Sequence, residues 1–591
     1  MLVQALAEYA QTRLSDQLND EAWEKRPVPY LVEVGADGSF LGVVERRAEE
    51  IRGKKAISVP QALKVPRSPV NRNMGLYPLL SVDDIKYVLG IGEWTRPDEQ
   101  QNHAERHEAF VALIDEAAKN TGDAGLQACS CFYRSPEQVE KARVAMKDAK
   151  AGSLVALSAS GPLVLRPAVQ SYWRELYGKA FNQRLETGGM GECLISGHFG
   201  PIAPTHEKIK GLSSLGGQAA GVSLMSFDKP AFRSYGWEQN QNSPVSPDYA
   251  MAYVLALNDL LRPGNGHRRD IAGVGFIFWL KKTEDFSIFD LLDQPHLAQV
   301  EDLLKLDAKA APDPNAFYMA GVSGNGGRLR VRYWIEEPLP LVKRNLADWF
   351  SGLRVVNPFV ESPEPVRFWQ LRDVIHREGE PPAHRVIALL RRAIEGRRQP
   401  LGQEMLAAAL KPLRRAKAAT PQRLGLVRLC INDLIFIQNK GDNEMTEELD
   451  PGQTNAAYLC GRLFAEYEGL QSTAFRAAGE SEVNVSIADR YYGLASTYPA
   501  IAFPKIETLG KKHLRKLQRE NRGAAVSIEQ RIQELHILLE KAAGYAFPSM
   551  LSLQDQGRFA LGFYHQKAHS MMQAKARKEE KERRGSNGEE N

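Results

Sequence analysis

The chain changes character once, near Pro340, and that change limits what it can fold into. Before it, short apolar segments alternate with glycine-rich turns. After it, from Asn345 to about Gln573, nearly every stretch is helix-forming and punctuated by proline and glycine. Tyr30-Leu-Val-Glu-Val, a Gly-Ala-Asp-Gly turn and Phe40-Leu-Gly-Val-Val read as a hairpin. Leu154–Leu157 and Leu163–Leu165 read as a strand pair around Ser-Gly-Pro, and Ile271–Trp279 as one buried strand. Residues 1–24, 100–150 and 250–262 read as helix. The expectation is an α+β fold: a mixed α/β N-terminal domain with antiparallel strands, then an all-α helical bundle. A chain of 591 residues divides into several domains, each able to bury its own core. The prolines between Pro358 and Pro382 set a boundary. The predicted domains are 1–365 (α+β), 366–450 (basic helices), 451–573 (bundle) and 574–591 (charged flexible tail).

Five cysteines, an odd and small number, argue against a disulfide framework and for a reducing cytoplasm. The N-terminus lacks the basic-then-apolar pattern of a signal peptide. No apolar run approaches the roughly 20 residues that a membrane span needs. Net charge is +4, from 76 Lys and Arg against 72 Asp and Glu, so only local charge bears on partners.

That charge is uneven. Between His384 and Arg428 lie 11 Lys and Arg but two acids, Glu395 and Glu404, an excess more than twice that of the whole chain. Val386, Ile387, Leu390, Ala393 and Ile394 define a buried stripe there. Arg391, Arg392, Arg397, Arg398, Lys411, Arg414, Arg415 and Lys417 are expected largely off it. A second basic helix runs from Lys511 to Arg519: Lys511, Arg515 and Arg519 share a face, with Lys512 and Lys516 beside it. Such faces bind nucleic acid by releasing counterions from its phosphates. Arg328-Leu-Arg-Val-Arg-Tyr-Trp334 alternates, placing Arg328, Arg330, Arg332 and Trp334 on one strand face and Leu329, Val331 and Tyr333 on the other.

Residues 193–245 interleave glycine, lysine, aromatic and amide side chains, including the glycine-rich Gly211–Gly221. The block looks built to hold a polyanion, with glycine amides available as an anion nest, yet it lacks the Gly-Lys-Ser/Thr ending of a P-loop. Cys193, His198 and His206, with Cys129 and Cys131 at a distance, do not have the spacing of a zinc finger or knuckle. No compact carboxylate cluster or nucleophile–base pair is evident, so neither catalysis nor a cofactor or metal is expected. Near the N-terminus, Arg67-Ser-Pro-Val-Asn-Arg-Asn-Met-Gly-Leu-Tyr-Pro78 is a polar loop with side chains of the kinds that read base edges and hold phosphates.

Several blocks together resemble one family. They include Cys193…Gly197…Pro201-Ile…His206…Ile209-Lys-Gly211, Gly216-Gly-Gln218, Ala231-Phe…Ser234-Tyr-Gly and Phe317-Tyr…Gly321-Val-Ser…Asn325…Arg328-Leu…Val331-Arg-Tyr-Trp. Ala457-Tyr-Leu…Gly461-Arg-Leu-Phe, Asp489-Arg-Tyr-Tyr-Gly and Leu561-Gly-Phe-Tyr-His-Gln complete them. The family is the large subunit of the type I-C CRISPR interference complex, Cascade. The resemblance implies a non-catalytic DNA-recognition subunit that works with a guide RNA, repeated backbone subunits, a handle-capping subunit and small helical subunits. It would check a short flanking motif, the PAM, in duplex target DNA, aid unwinding, hold the displaced single strand and recruit a helicase–nuclease. On this reading Arg67, Asn71, Arg72, Asn73, Lys208, Lys210, Gly217 and Gln218 are assigned to the flanking duplex. Arg414, Arg415, Lys417, Lys512, Arg515 and Arg519 are assigned to the displaced strand. The alternative is a structural scaffold whose basic helices bind partner subunits or guide RNA. The resemblance also implies a second, shorter product comprising the helical region from about Asn455.

Overall fold

The computed structural model describes all residues except 19, 53–54, 70–71, 73–75, 93–96, 306–314, 361–362, 377–380, 415–418, 439–442, 481–484, 545 and 587–591. The strands are β1 (Trp23–Pro27), β2 (Tyr30–Val34), β3 (Phe40–Glu45), β4 (Arg47–Arg52), β5 (Lys55–Pro60), β6 (Ala62–Pro66), β7 (Val82–Asp84), β8 (Leu154–Ser158), β9 (Met190–Glu192), β10 (Phe199–Pro201), β11 (Arg268–Ile271), β12 (Val274–Leu280), β13 (Ala316–Asn325) and β14 (Arg328–Pro338). Strands are concentrated before Leu339, and helices fill the chain beyond it, so the fold is α+β as the sequence predicts. Two compact units form: Met1–Arg268 with Ala320–Trp334, and Arg269–Met319 with Ile335–Asn591.

The first unit is built on a four-stranded sheet of order β3-β2-β8-β7. β2 and β3 form the predicted antiparallel hairpin, with Gly38 in the turn at a φ of 85° that side chains resist. β2 and β8, by contrast, run parallel, which takes the long helical crossover between them. Val32, Val155, Ala156 and Leu157 are buried in its core with Phe110, Phe132 and Trp173, and Trp173 donates its indole N–H to Ala22 O. The segment Leu163–Leu165 is a 3-10 turn, not a strand: the Leu165 amide donates to Pro162 O and the Arg166 amide to Leu163 O, three residues back, so these amides close onto the segment itself and not onto a neighbouring strand. The N-terminal helix stops at Arg13, and Trp23 already opens β1. The expected strand Ile271–Trp279 is broken by Ala272 and Gly273, both at positive φ, into β11 and β12.

In the second unit, Asn455 caps the helix Ala456–Ala477 by accepting from the Ala457 and Tyr458 amides. Ser486 and Asp489 form a capping box on Ile487–Ala495, and Pro499 opens the helix Pro499–Glu520. Leu463, Phe464, Phe503, Ile506, Leu535, Phe559 and Phe563 fill the bundle core. Helix Ala456–Ala477 meets helix Leu553–Ser586 at backbone distance. A Cβ on Gly461 would sit 2.1 Å from Phe559 O, and one on Gly562 would sit 2.1 Å from Tyr458 O. That last helix continues through the predicted tail as far as Ser586.

Candidate nucleic-acid interface

In the first unit, the hairpin of residues 320–334 turns at Gly326 and Gly327. Strand alternation buries Leu329 and exposes Arg328, Arg330 and Arg332, as the sequence predicts. Val331 departs from that pattern, being 41% exposed. The glycine-rich block lies along this hairpin. Ile209 and Val222 exchange antiparallel hydrogen bonds, while Gly217 bridges to Gly326 and Ser223 to Arg328 in parallel sense. The glycines serve this close approach: a Cβ on Gly324 would meet Gly217 N at 2.2 Å. Amides of the block are correspondingly used within the chain, Gly217 N donating to Leu212 O, Gly221 N to Gln218 O, and the amide of the intervening Gln218 to Gly326 O. The anion nest expected from the glycine spacing is therefore replaced by backbone packing at these three positions.

Lys208, Gly217 and Gln218 are gathered beside the arginine strand. Lys208 Nζ donates to Ser223 Oγ at 2.9 Å, next to the bridge with Arg328. Lys210 is exposed, its amide anchored on Asn258 Oδ1. The exposed Gln218 reaches toward Gly327. Arg328 pairs with Asp228 at 3.2 Å and lies over the Phe232 ring, which fixes the segment carrying the exposed Tyr235 and Trp237 to the strand. Arg330, Arg332, Tyr235 and Trp237 fall outside the residue set assigned from sequence. The arginine alternation was the signal for the first two.

The N-terminal loop residues are placed differently. Arg67 is 4% exposed, with Nη1 against Met251 Sδ, so its guanidinium faces inward. Arg72 Nη2 holds both oxygens of the buried Asp83 at 2.8 Å, and the guanidinium stacks 4.4 Å over Tyr87. Asn71 and Asn73 lie outside the described residues. Cys193 and His206 are separately engaged: Cys193 Sγ accepts from the Ser246 amide, and His206 Nδ1 lies 2.6 Å from Tyr253 Oη. Among the described residues no group of three or more His, Cys, Asp and Glu is arranged to hold a metal ion.

In the second unit, five arginines of the stretch His384–Arg428 are paired with carboxylates of the chain, Arg385 among them through Glu404. Arg392, expected off the buried stripe, has no exposed surface. It lies against Asp433 at 2.8 Å and Asp348 at 2.7 Å. Arg397 pairs with Glu444 and Asp348, Arg398 with Glu337 at 2.8 Å, and Arg391 with Glu395 at 2.8 Å. Arg423 and Arg428 donate to backbone carbonyls. Arg414 ends the short 3-10 turn Lys411–Arg414, and Arg415 and Lys417 lie outside the described residues.

The helix Pro499–Glu520 behaves otherwise. Ala502, Phe503, Ile506, Gly510 and Leu517 are buried, and Lys511, Lys512, Arg515 and Arg519 are exposed. Lys516 is drawn to Glu480 at 2.6 Å and lies over Phe475. The other four have no ion-pair partner among the described residues, so their charge is directed at solvent or at something bound there. Among the described residues no helix is long and apolar enough to cross a membrane.

No curated protein matches the chain. A family model described as CRISPR-associated protein (Cas_Csd1) matches residues 6–571, so both the glycine-packed arginine hairpin and the bundle with its basic helix fall within the match. The chain therefore belongs to the Cas_Csd1 family of CRISPR-associated proteins, the large-subunit family of type I-C interference complexes.

Proposed function

We propose that the chain is the non-catalytic DNA-recognition subunit of its complex. The arginine hairpin of the first unit, together with Lys208, Lys210 and Gln218, contacts the PAM-flanking duplex. Lys512, Arg515 and Arg519, joined by Lys511, track the displaced strand and stabilise the opened target, and a separate helicase–nuclease is recruited to cut. One observation carries this reading: the cations of His384–Arg428 mostly have partners within the chain, whereas this helix face keeps four exposed cations unpaired among the described residues. Charge held toward solvent on one face is what sequence-tolerant binding of a phosphate backbone requires. The division of labour follows: pairing with the guide reads sequence, and the protein reads the short motif and the duplex.

The test is the salt dependence of target binding by the assembled complex. Arg515→Ala with Arg519→Ala removes two phosphate contacts, so the slope of log affinity against log salt should flatten by about 1.4. An unchanged slope and affinity would sink the displaced-strand role. It would leave the scaffold reading, in which this face meets a partner subunit.

A further inference from the structure

Tyr235 and Trp237 are large rings left in solvent, 84% and 50% exposed, on a segment that is otherwise firmly held. The 3-10 turn Pro230–Arg233 precedes them. Gly236, at a φ of 75°, donates its amide to Arg233 O, and Ser234 Oγ donates to Ala231 O. Upstream, Asp228 and Phe232 both engage Arg328, and Phe227 meets Phe232 edge to face at 5.3 Å. Downstream, Glu238 N donates to Gln241 Oε1, and Asn240 N to Pro204 O. The backbone is thus pinned on both sides of two rings that bury little themselves. Their centroids are 5.9 Å apart with planes inclined by 43°, so they are not stacked flat on each other and each keeps surface free. The same segment carries the exposed Lys229 and Arg233 with the exposed Asp228 and Glu238, and the strand that it is fixed to through Arg328 carries the exposed Arg330 and Arg332.

We propose that Tyr235 and Trp237 form a stacking platform for unpaired bases of the DNA strand that leaves the flanking duplex, with Arg233 and Arg330 holding its phosphates. Aromatic rings interleaved with cations bind single strands because every base has a π-face, whatever the sequence. The occupant is assigned as a nucleic-acid strand because Asp228 and Phe232 join the segment through Arg328 to the arginine strand, which makes the rings continuous with that interface. The inference rests on the reading that the arginine hairpin contacts DNA, and the experiment separates the two.

The full chain is titrated with fluorescent oligo(dT), with an abasic strand of equal phosphate count and with oligo(U). Wild type should bind oligo(dT) more tightly than the abasic strand. Tyr235→Ala with Trp237→Ala should weaken oligo(dT) by about tenfold per ring lost and barely affect the abasic strand, since stacking is a property of the base. Tyr235→Phe with Trp237→Phe should retain most of the preference, which separates stacking from misfolding. Arg330→Ala with Arg332→Ala should weaken both DNA strands and flatten their salt dependence. If the aromatic variant keeps the wild-type ratio of oligo(dT) to abasic affinity, the platform is wrong while the interface stands. If the arginine variant changes neither affinity nor salt slope, or wild type binds neither DNA strand, the interface and the platform fall together. Tighter binding of oligo(U) than of oligo(dT) would overturn the assignment to DNA.

Discussion

Replacing Arg392 by alanine tests whether the basic region is a binding face or an internal brace. The side chain has no exposed surface, and its Nε and Nη2 make three contacts of 2.8–3.0 Å with Asp433. Asp433 is itself fully buried, and the Leu401 amide at 2.9 Å is the other donor it keeps. Removing Arg392 strands a buried carboxylate, which costs about 3–5 kcal/mol, a large share of the roughly 5–15 kcal/mol that holds a domain folded. Replacing both partners, Arg392→Met with Asp433→Leu, removes the stranded charge. What then remains is the orphaned Leu401 amide, worth about 1–3 kcal/mol, since Asp348 is partly exposed and regains water. Urea unfolding of the full chain, followed by far-ultraviolet circular dichroism, reads both variants. The single variant should lose about 3–5 kcal/mol and the double about 1–3 kcal/mol, so the second substitution rescues the first. A single variant within about 0.5 kcal/mol of wild type, or a double no better than the single, would refute the reasoning. The double variant should also bind target DNA as wild type does, because Arg392 offers no surface to a phosphate.

Three further outcomes are expected. Gly324→Ala forces a Cβ to within 2.2 Å of Gly217 N and should loosen the glycine block by about 1–3 kcal/mol; limited proteolysis within residues 206–240 should speed up, and an unchanged digest would count against the packing. Burial, reinforced by Arg184, holds the His206 pKa near 4, and burial with Arg428 and Arg462 holds that of His565 near 3. Both are therefore neutral when folded and protonate more readily when unfolded, so stability is full above about pH 6.5 and declines as pH falls toward 4. Melting temperatures between pH 7.5 and 5 should show that decline, and His565→Phe should shrink it if the variant folds. Expression of the gene with a C-terminal tag should give a second band of roughly 13–17 kDa, a minimal helical domain, and a single full-length band would dispose of the shorter product.

Local signals were legible where chemistry and neighbours agree. The Asp-Gly turn between Val34 and Phe40 specified its hairpin, and the four-residue repeat from Lys511 to Arg519 placed its cations on one exposed face. Leu163-Val-Leu misled because a short apolar run has the same composition as a strand or a buried turn, and only packing separates them. The pairing of Arg392, Arg397 and Arg398 was hidden for a different reason. Their counterions, Glu337, Asp348, Asp433 and Glu444, come from other elements, so a count confined to the segment cannot see them. The glycine block was recognisable as a place of close approach, but the approaching group is the chain's own hairpin. Tyr235 and Trp237 stood in that block among residues of similar character, and nothing local marks which aromatic rings stay in solvent.

The contact of Gly461 with Phe559 and of Gly562 with Tyr458 has a consequence at the level of the gene. Any single-base change in a glycine codon that replaces the residue introduces a Cβ, so each codon is closed to point substitution by the backbone facing it. The two sites lie a hundred positions apart yet guard one joint between the first and last helices of the bundle. A product that begins upstream of Asn455 carries both sides of the joint, whereas one that begins past Gly461 lacks the first of them.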